Sequence, residues 1–332
     1  MVKRSDILEL GRLVDGAKTI LLLQPDKPDG DSLASMLALE EIFGDLGKTT
    51  HMYTGGRVED YLNHLPGWDR VSNDWPDHYD LAILVDTAAP NQVARMLGAH
   101  HPALRKHPWV VIDHHGGERT DMDGTTMELL DAKAAATSEI IYRIAKTLGW
   151  LLNERACQRL VASLFADTLN LTTPSVTTRT IEIFAALVKL GKVDVSALHR
   201  AYREATATDP DLLAVKGQLL QGVEFFADGK IALVVVPQDV VKAYRQRTSL
   251  SALVMFEMLW ARGVKVAAVM SDYGTIIRTS LRARAPIAAK VAAELGGGGH
   301  PMAAAFGDDT TPLLQLKAKL IAALTEALAE LD

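Results

Sequence analysis

Three short apolar runs, each leading into acidic residues, constrain the fold more than any other feature of this sequence. They are Thr19–Leu23, Leu81–Val85 and Trp109–Ile112. Runs this short and this continuous predict strands covered on both faces, as the strands of a parallel sheet are. The first passes into a polar turn with Pro28 and Gly30 that carries Asp29 and Asp31, and a helical pattern follows from Leu33 to Phe43. The second ends on Asp86 and the third on Asp113. The acids therefore collect at one edge of the expected sheet, and open α/β sheets bind ligands outside the carboxyl ends of their strands.

A chain of 332 residues exceeds the usual size of one domain, so two unequal domains are expected. We read residues 1–198 as an α/β domain on the parallel sheet. Residues 213–332 read as a smaller mixed α/β domain, with strands at Ile231–Val236, Val264–Met270 and Ile276–Leu281. A Thr/Asp/Pro cluster within 199–212 interrupts the helical pattern and is the expected linker. With 35 basic against 41 acidic residues the net charge is −6, which argues against a protein that wraps long duplex nucleic acid by neutralising phosphates. A small anion in a local basic pocket remains compatible with it. The single Cys157 cannot form an internal disulfide, and the start from Met1 to Asp6 runs into an amphipathic stretch without a signal-peptide core. A reducing cytoplasm is the expected compartment. Asp, Lys or Pro breaks every apolar block well short of the roughly 20 residues a bilayer span requires, so no membrane association is expected.

Four segments carry carboxylates or imidazoles in positions that suit a metal. In Pro28-Asp29-Gly30-Asp31-Ser32, a glycine between two acids permits a tight or left-handed backbone that turns both carboxylates to one point. Hard divalent cations prefer such oxygen donors. The plainer reading is a turn in which Asp31 caps the following helix. Asp86 taken alone is equally a strand-end cap. Asp113-His114-His115 is harder to read as a surface turn, because neutral imidazole ligates metals and a neighbouring carboxylate fixes its tautomer. His100-His101 lies away from the strand-end acids and reads as surface. Asp167-Thr168 closes the helical pattern Leu160–Phe165 and reads alone as a helix end. Together Asp29, Asp31, Asp86, His114 and Asp167 form an oxygen-rich set with one nitrogen, enough for two ions bridged by Asp86. Two such ions activate a water and steady the leaving oxygen in phosphoryl transfer. A fifth segment, Gly296 to Gly299 followed by His300, has Arg282 and Arg284 upstream. It reads as a helix terminator or as an anion site, since consecutive glycines bring N–H groups close to an anion and guanidinium matches phosphate. The anion site is the reading we adopt.

These motifs, in this order, resemble those of the DHH phosphoesterase superfamily with its C-terminal DHH-associated domain, over about Thr19 to Phe306. Length and the full Gly-Gly-Gly-His segment make the chain similar to the compact oligoribonuclease/adenosine-bisphosphate phosphatase branch. The resemblance implies a metal-dependent hydrolase of small nucleotides: short oligonucleotides taken as an exonuclease or nanoRNase takes them, 3′,5′-bisphosphonucleotides, or cyclic or linear dinucleotides. It implies two manganese or magnesium ions on Asp29, Asp31, Asp86, His114 and Asp167. His115 is then the contact to the scissile phosphate with Asp113 as its support, and Arg282, Gly298, Gly299 and His300 grip the terminal phosphate or nucleotide. The implied partner is a small nucleotide or short single-stranded oligonucleotide, and a homodimer is left open. Two positions depart from the pattern. Pro25 stands where the family has a metal-binding histidine, four residues before Asp29, with Gln24 and Asp26 beside it as substitute ligands. Leu169 stands where glycine often follows the Asp-Thr pair. A nucleotide-binding protein with one weakened metal site and little or no catalysis is therefore the second reading.

Overall fold

The computed structural model describes residues 2–115 and 122–331. It divides into two compact units, Met1–Ala207 and Thr208–Asp332. The division falls within the expected linker, most of which is helical.

In the first unit, α1 (Arg4–Gly16) precedes β1 (Thr19–Leu23), α2 (Gly30–Asp45), β2 (Thr49–Tyr53), β3 (Leu81–Val85), α3 (Ala94–Leu104), β4 (Trp109–Asp113) and β5 (Met127–Leu130). Helices α4 (Thr137–Leu148), α5 (Glu154–Thr168), α6 (Thr178–Gly191) and α7 (Val195–Ala205) follow. The strands make one parallel sheet in the order β2-β1-β3-β4-β5. The three apolar runs are its centre. Alternate residues feed two cores: Ile20, Leu22, Ile83, Val85, Val110 and Ile112 face α1, α2, α4 and α5, whereas Leu21, Leu23, Ala82, Leu84 and Val111 face Met96, Leu104 and Trp109. Both faces being covered is what makes these strands read as unbroken hydrophobic runs.

Helix α2 is buried without a break from Asp31 to Leu39, packed against α5. Its start is a reciprocal cap: Asp29 Oδ1 accepts from Ser32 N and Ser32 Oγ accepts from Asp29 N, both at 2.9 Å. The cap expected of Asp31 thus falls to Asp29. Of the tight or left-handed backbone expected at Gly30, the left-handed form is not adopted; a Cβ there would lie 2.6 Å from Ala166 Cβ, so glycine serves the close approach of α2 to α5.

The second unit contains α8 (Pro210–Gln221), β6 (Glu224–Phe226), β7 (Ile231–Val236), α9 (Gln238–Tyr244), α10 (Leu250–Trp260), β8 (Val266–Asp272), β9 (Ile277–Ala283), α11 (Ala288–Glu294), β10 (Gly298–His300), β11 (Ala303–Asp308) and α12 (Leu313–Ala329). Its sheet runs β10-β11-β9-β8-β7-β6, with β7 and β8 parallel and the other neighbours antiparallel. Leu233, Ala268 and Leu281 pack on α11 and α12, and Val234, Val236 and Val269 on the opposite helical layer. No helix among the described residues is long and apolar enough to cross a membrane.

Candidate metal centre

The carboxyl edge of the first sheet draws together Asp31 from the first turn of α2, Asp86 after β3, His114 after β4 and Asp167 near the end of α5. His114 Nε2 lies 2.9 Å from Asp167 Oδ2 and 3.5 Å from both Asp31 Oδ2 and Asp86 Oδ1. It is buried and has hydrogen-bond geometry to none of them. Its other nitrogen, Nδ1, faces Ala134 O at 3.3 Å, which leaves the Nε2 lone pair for a ligand. An imidazole nitrogen aimed between three carboxylates is the arrangement a divalent cation fits, and the set of hard oxygens with one nitrogen suits manganese or magnesium chemistry.

The electrostatics agree. Burial, then the charge of Asp167, raises Asp31 to about 6. Burial and then the carboxylates of Asp31, Asp29 and Asp167 hold Asp86 well above the usual range. Burial opposes a charge on His114, yet the Asp167 contact and the charges of Asp31 and Asp167 raise it to about 9. Without a cation the cluster retains protons to offset its own repulsion.

Asp31 and Asp86 are held largely by groups remote in sequence. Asp31 Oδ2 accepts from Thr137 N at 2.8 Å, and Oδ1 accepts from Ser35 Oγ at 3.0 Å and from Ser163 Oγ. Thr137 Oγ1 donates to Asp86 Oδ1 at 3.0 Å. Thr137 opens α4, so a helix N-terminus and a hydroxyl together orient two carboxylates. Our reading of the sequence missed Thr137, Ser35 and Ser163. The available signal was Thr137-Ser138-Glu139 heading an amphipathic helix after three alanines. Asp86 itself adopts φ 66, a left-handed conformation that turns its chain out of β3, while its N–H donates to Ile112 O at 2.8 Å.

His115 and Asp113 form a pair beside this cluster. Asp113 is buried, and its Oδ1 lies 2.7 Å from His115 Nδ1 and accepts the His115 backbone N–H at 3.0 Å. That bond raises the His115 pKa above the ordinary imidazole value, against the opposing effect of burial. The His115 side chain remains 58% exposed, with Nε2 free of the Asp113 contact.

Other positions fall differently. Asp29 is outside the two ligand groups found among the described residues, Asp31/His114/Asp167 and Asp86/His114/His115. Asp26, a candidate substitute for the missing histidine, is also outside both groups, and its carboxylate accepts from Arg95 N at 2.7 Å and Met96 N at 3.3 Å. Gln24 is fully buried, and neither atom of its amide has a partner among the described residues. Leu169 sits in the left-handed region that favours glycine, φ 46 and ψ 53. In the second unit, Gly298–His300 is an edge strand, not the loop expected of a glycine run. A Cβ on Gly297 or Gly299 would meet β11 at 2.2 and 2.6 Å, so packing demands these glycines. Pairing sets His300 opposite Ala303 and Ala303 opposite Arg282, which puts the exposed Arg282 and His300 in one row.

Residues 19–171 match the DHH family, N-terminal domain. This part of the chain, just under half of it, is thus similar to that domain, and it carries all the clustered acids and both histidines. Over 298 residues the chain is 25% identical to the bifunctional oligoribonuclease and PAP phosphatase NrnA of Bacillus subtilis, covering 89% of this chain and 91% of that one. The NrnA of Thermus thermophilus, with the same description, is 26% identical over 83% of this chain and 80% of its own. In structure the chain resembles an exopolyphosphatase-related protein from Bacteroides fragilis, with a TM-score of 0.81, 17% identity and coverage of 99% and 97%. That likeness extends the shared fold beyond the DHH domain.

Proposed function

We propose that this chain is a metal-dependent phosphoesterase that hydrolyses small nucleotide substrates, short single-stranded oligonucleotides and 3′,5′-bisphosphonucleotides foremost. The observation that carries the reading is His114 Nε2, buried within 2.9–3.5 Å of the carboxylates of Asp31, Asp86 and Asp167. The names of the NrnA relatives supply the substrate class. Asp31, Asp86, His114 and Asp167 are assigned to a manganese or magnesium ion, with Asp29 and Asp86 for a second. Bound there, the ions supply Lewis acidity toward a phosphoryl oxygen and a water made nucleophilic at neutral pH. Asp113 accepts from His115 Nδ1 and favours the protonated ring, whose Nε2–H is then the donor to a phosphate oxygen. Arg282, Gly298, Gly299 and His300 are assigned to the far phosphate or nucleotide. The cytoplasm is the compartment we assign.

Pro25 favours the second reading, a nucleotide-binding protein without efficient turnover. The test is hydrolysis of a ribodinucleotide and of 3′-phosphoadenosine 5′-phosphate with manganese and with chelator. Manganese-dependent release of mononucleotide or phosphate is expected. Tight nucleotide binding with no turnover would replace the enzyme by the binding protein.

A further inference from the structure

Helix α5 does not simply stop after Asp167. Leu169, Asn170 and Leu171 follow in succession at φ 46, 60 and 65, three non-glycine residues in the left-handed region. Such residues visit that region singly as a rule, and of these three only asparagine is at ease there. The turn is held shut: Asn170 N donates to Phe165 O at 3.0 Å, Leu171 N to Thr168 Oγ1 at 2.9 Å and Thr172 N to Thr168 O at 2.8 Å. Leu169 gains no burial in exchange, since it is 63% exposed. These bonds close the end of α5, yet the turn leaves an apolar side chain in water, and left-handed outliers of this kind concentrate at ligand sites.

Leu169 and Asn170 line one side of a cavity of about 190 Å³. Tyr61, His64, Phe165 and Tyr202 line it too, as do Asp29 and Asp167. His64 is fixed by Tyr61 O, 2.8 Å from its Nδ1, and meets Tyr202 edge to face at 5.5 Å. Burial holds His64 below the ordinary imidazole range, so this wall is uncharged. A cavity of about 150 Å³ accepts a benzene ring, and this one is somewhat larger. The room is that of one heterocycle, and the lining is mostly aromatic and aliphatic, with His64, Asn170 and the two acids among its polar groups.

We propose that this cavity is a nucleobase subsite, which seats the base of the nucleotide whose phosphate lies at the Asp/His cluster, with Leu169 as a wall held in place by the left-handed turn. The inference rests on the phosphoesterase reading for the position of the phosphate. It makes the site selective for phosphates that carry an aromatic group over sugar phosphates and inorganic phosphates.

The test measures binding, apart from turnover. Titration calorimetry with manganese compares adenosine 5′-monophosphate with ribose 5-phosphate, on the full chain and on Leu169→Gly and Tyr202→Leu. Glycine accepts the left-handed turn without penalty, so Leu169→Gly keeps the fold, which a thermal melt verifies. The unaltered chain is expected to prefer the base-bearing ligand by about fivefold or more, the scale of one base contact. Each substitution should reduce that preference several-fold and leave ribose 5-phosphate binding within about twofold. No base preference in the unaltered chain, or a preference that both substitutions leave intact, overturns the subsite. Failure of the hydrolytic reading shows separately, as absence of dinucleotide cleavage with manganese.

Discussion

At the scale of single residues, Asp86 concentrates the conflict between stability and function. Its left-handed backbone costs about 1–3 kcal/mol, and its buried carboxylate faces Asp31 and Asp167. Asparagine keeps an acceptor for Thr137 Oγ1 and removes the repulsion. Asp86→Asn should therefore melt in chelator at the same temperature as the unaltered protein or higher, while manganese-dependent hydrolysis falls by about 100-fold or more, beyond the roughly 10–100-fold typical of losing an outer partner. Undiminished hydrolysis would remove Asp86 from the metal centre. His114 yields a second expectation. With a pKa raised to about 9 in the metal-free protein, it is protonated at neutral pH, and ligation requires the neutral ring. Manganese affinity should thus rise with pH up to about 9, with at least one proton released per ion. Calorimetry at pH 7 in two buffers of different ionisation enthalpy counts the protons, and a count of zero contradicts the assignment.

At the scale of elements, α4 orders the site without contributing a ligand. Its first residue donates a backbone N–H to Asp31 and a hydroxyl to Asp86. Its first turn and the loop before it are braced by two ion pairs, Arg143 Nη1 to Asp131 at 2.7 Å and Arg179 Nε to Glu139 at 3.0 Å, and by a hydrogen bond from Arg179 Nη2 to Lys133 O at 2.6 Å. Glu139 is fully buried, so its pairing with Arg179 also meets the requirement that a buried charge be partnered. Thr137→Val retains the N–H and the side-chain volume and loses the hydroxyl. Manganese should then bind about 10–100-fold more weakly, with the circular dichroism spectrum unchanged. Unaltered affinity would reduce Thr137 to a helix-starting residue.

At the scale of the whole molecule, the two units own separate cores, and among the described residues every clustered metal-ligand candidate lies in the first. Such a chain departs from two-state unfolding. Scanning calorimetry in chelator should resolve two transitions. Manganese at about 100 times its dissociation constant stabilises the state that binds it by about 2.7 kcal/mol. For a unit of this size that corresponds to an upward shift of roughly 5–10 °C. Only one transition should move. A joint shift of both would mean that the units unfold together.

The sequence by itself determined the centre of the first sheet and the acids at its edge. β1, β3 and β4 are buried on both faces, and burial writes itself as an unbroken apolar run. β2 and β5 escaped notice because edge strands with exposed positions, Thr49–Tyr53 and Met127–Leu130, interleave polar residues. Strand ends likewise announced Asp86 and His114, since a polar residue closing such a run has little else to do. Which of Asp29 and Asp31 caps α2 was not decidable from their spacing, because both stand where a cap can. Only the tertiary structure decided it, by placing Thr137 N and Ser163 Oγ, 106 and 132 residues away, against Asp31 and leaving Asp29 to Ser32. The same holds for Gly30, Gly297 and Leu169. Sequence records what a residue prefers locally, whereas these three are set by the backbone that approaches them or by the turn that holds them, and those contacts exist only once distant segments have packed.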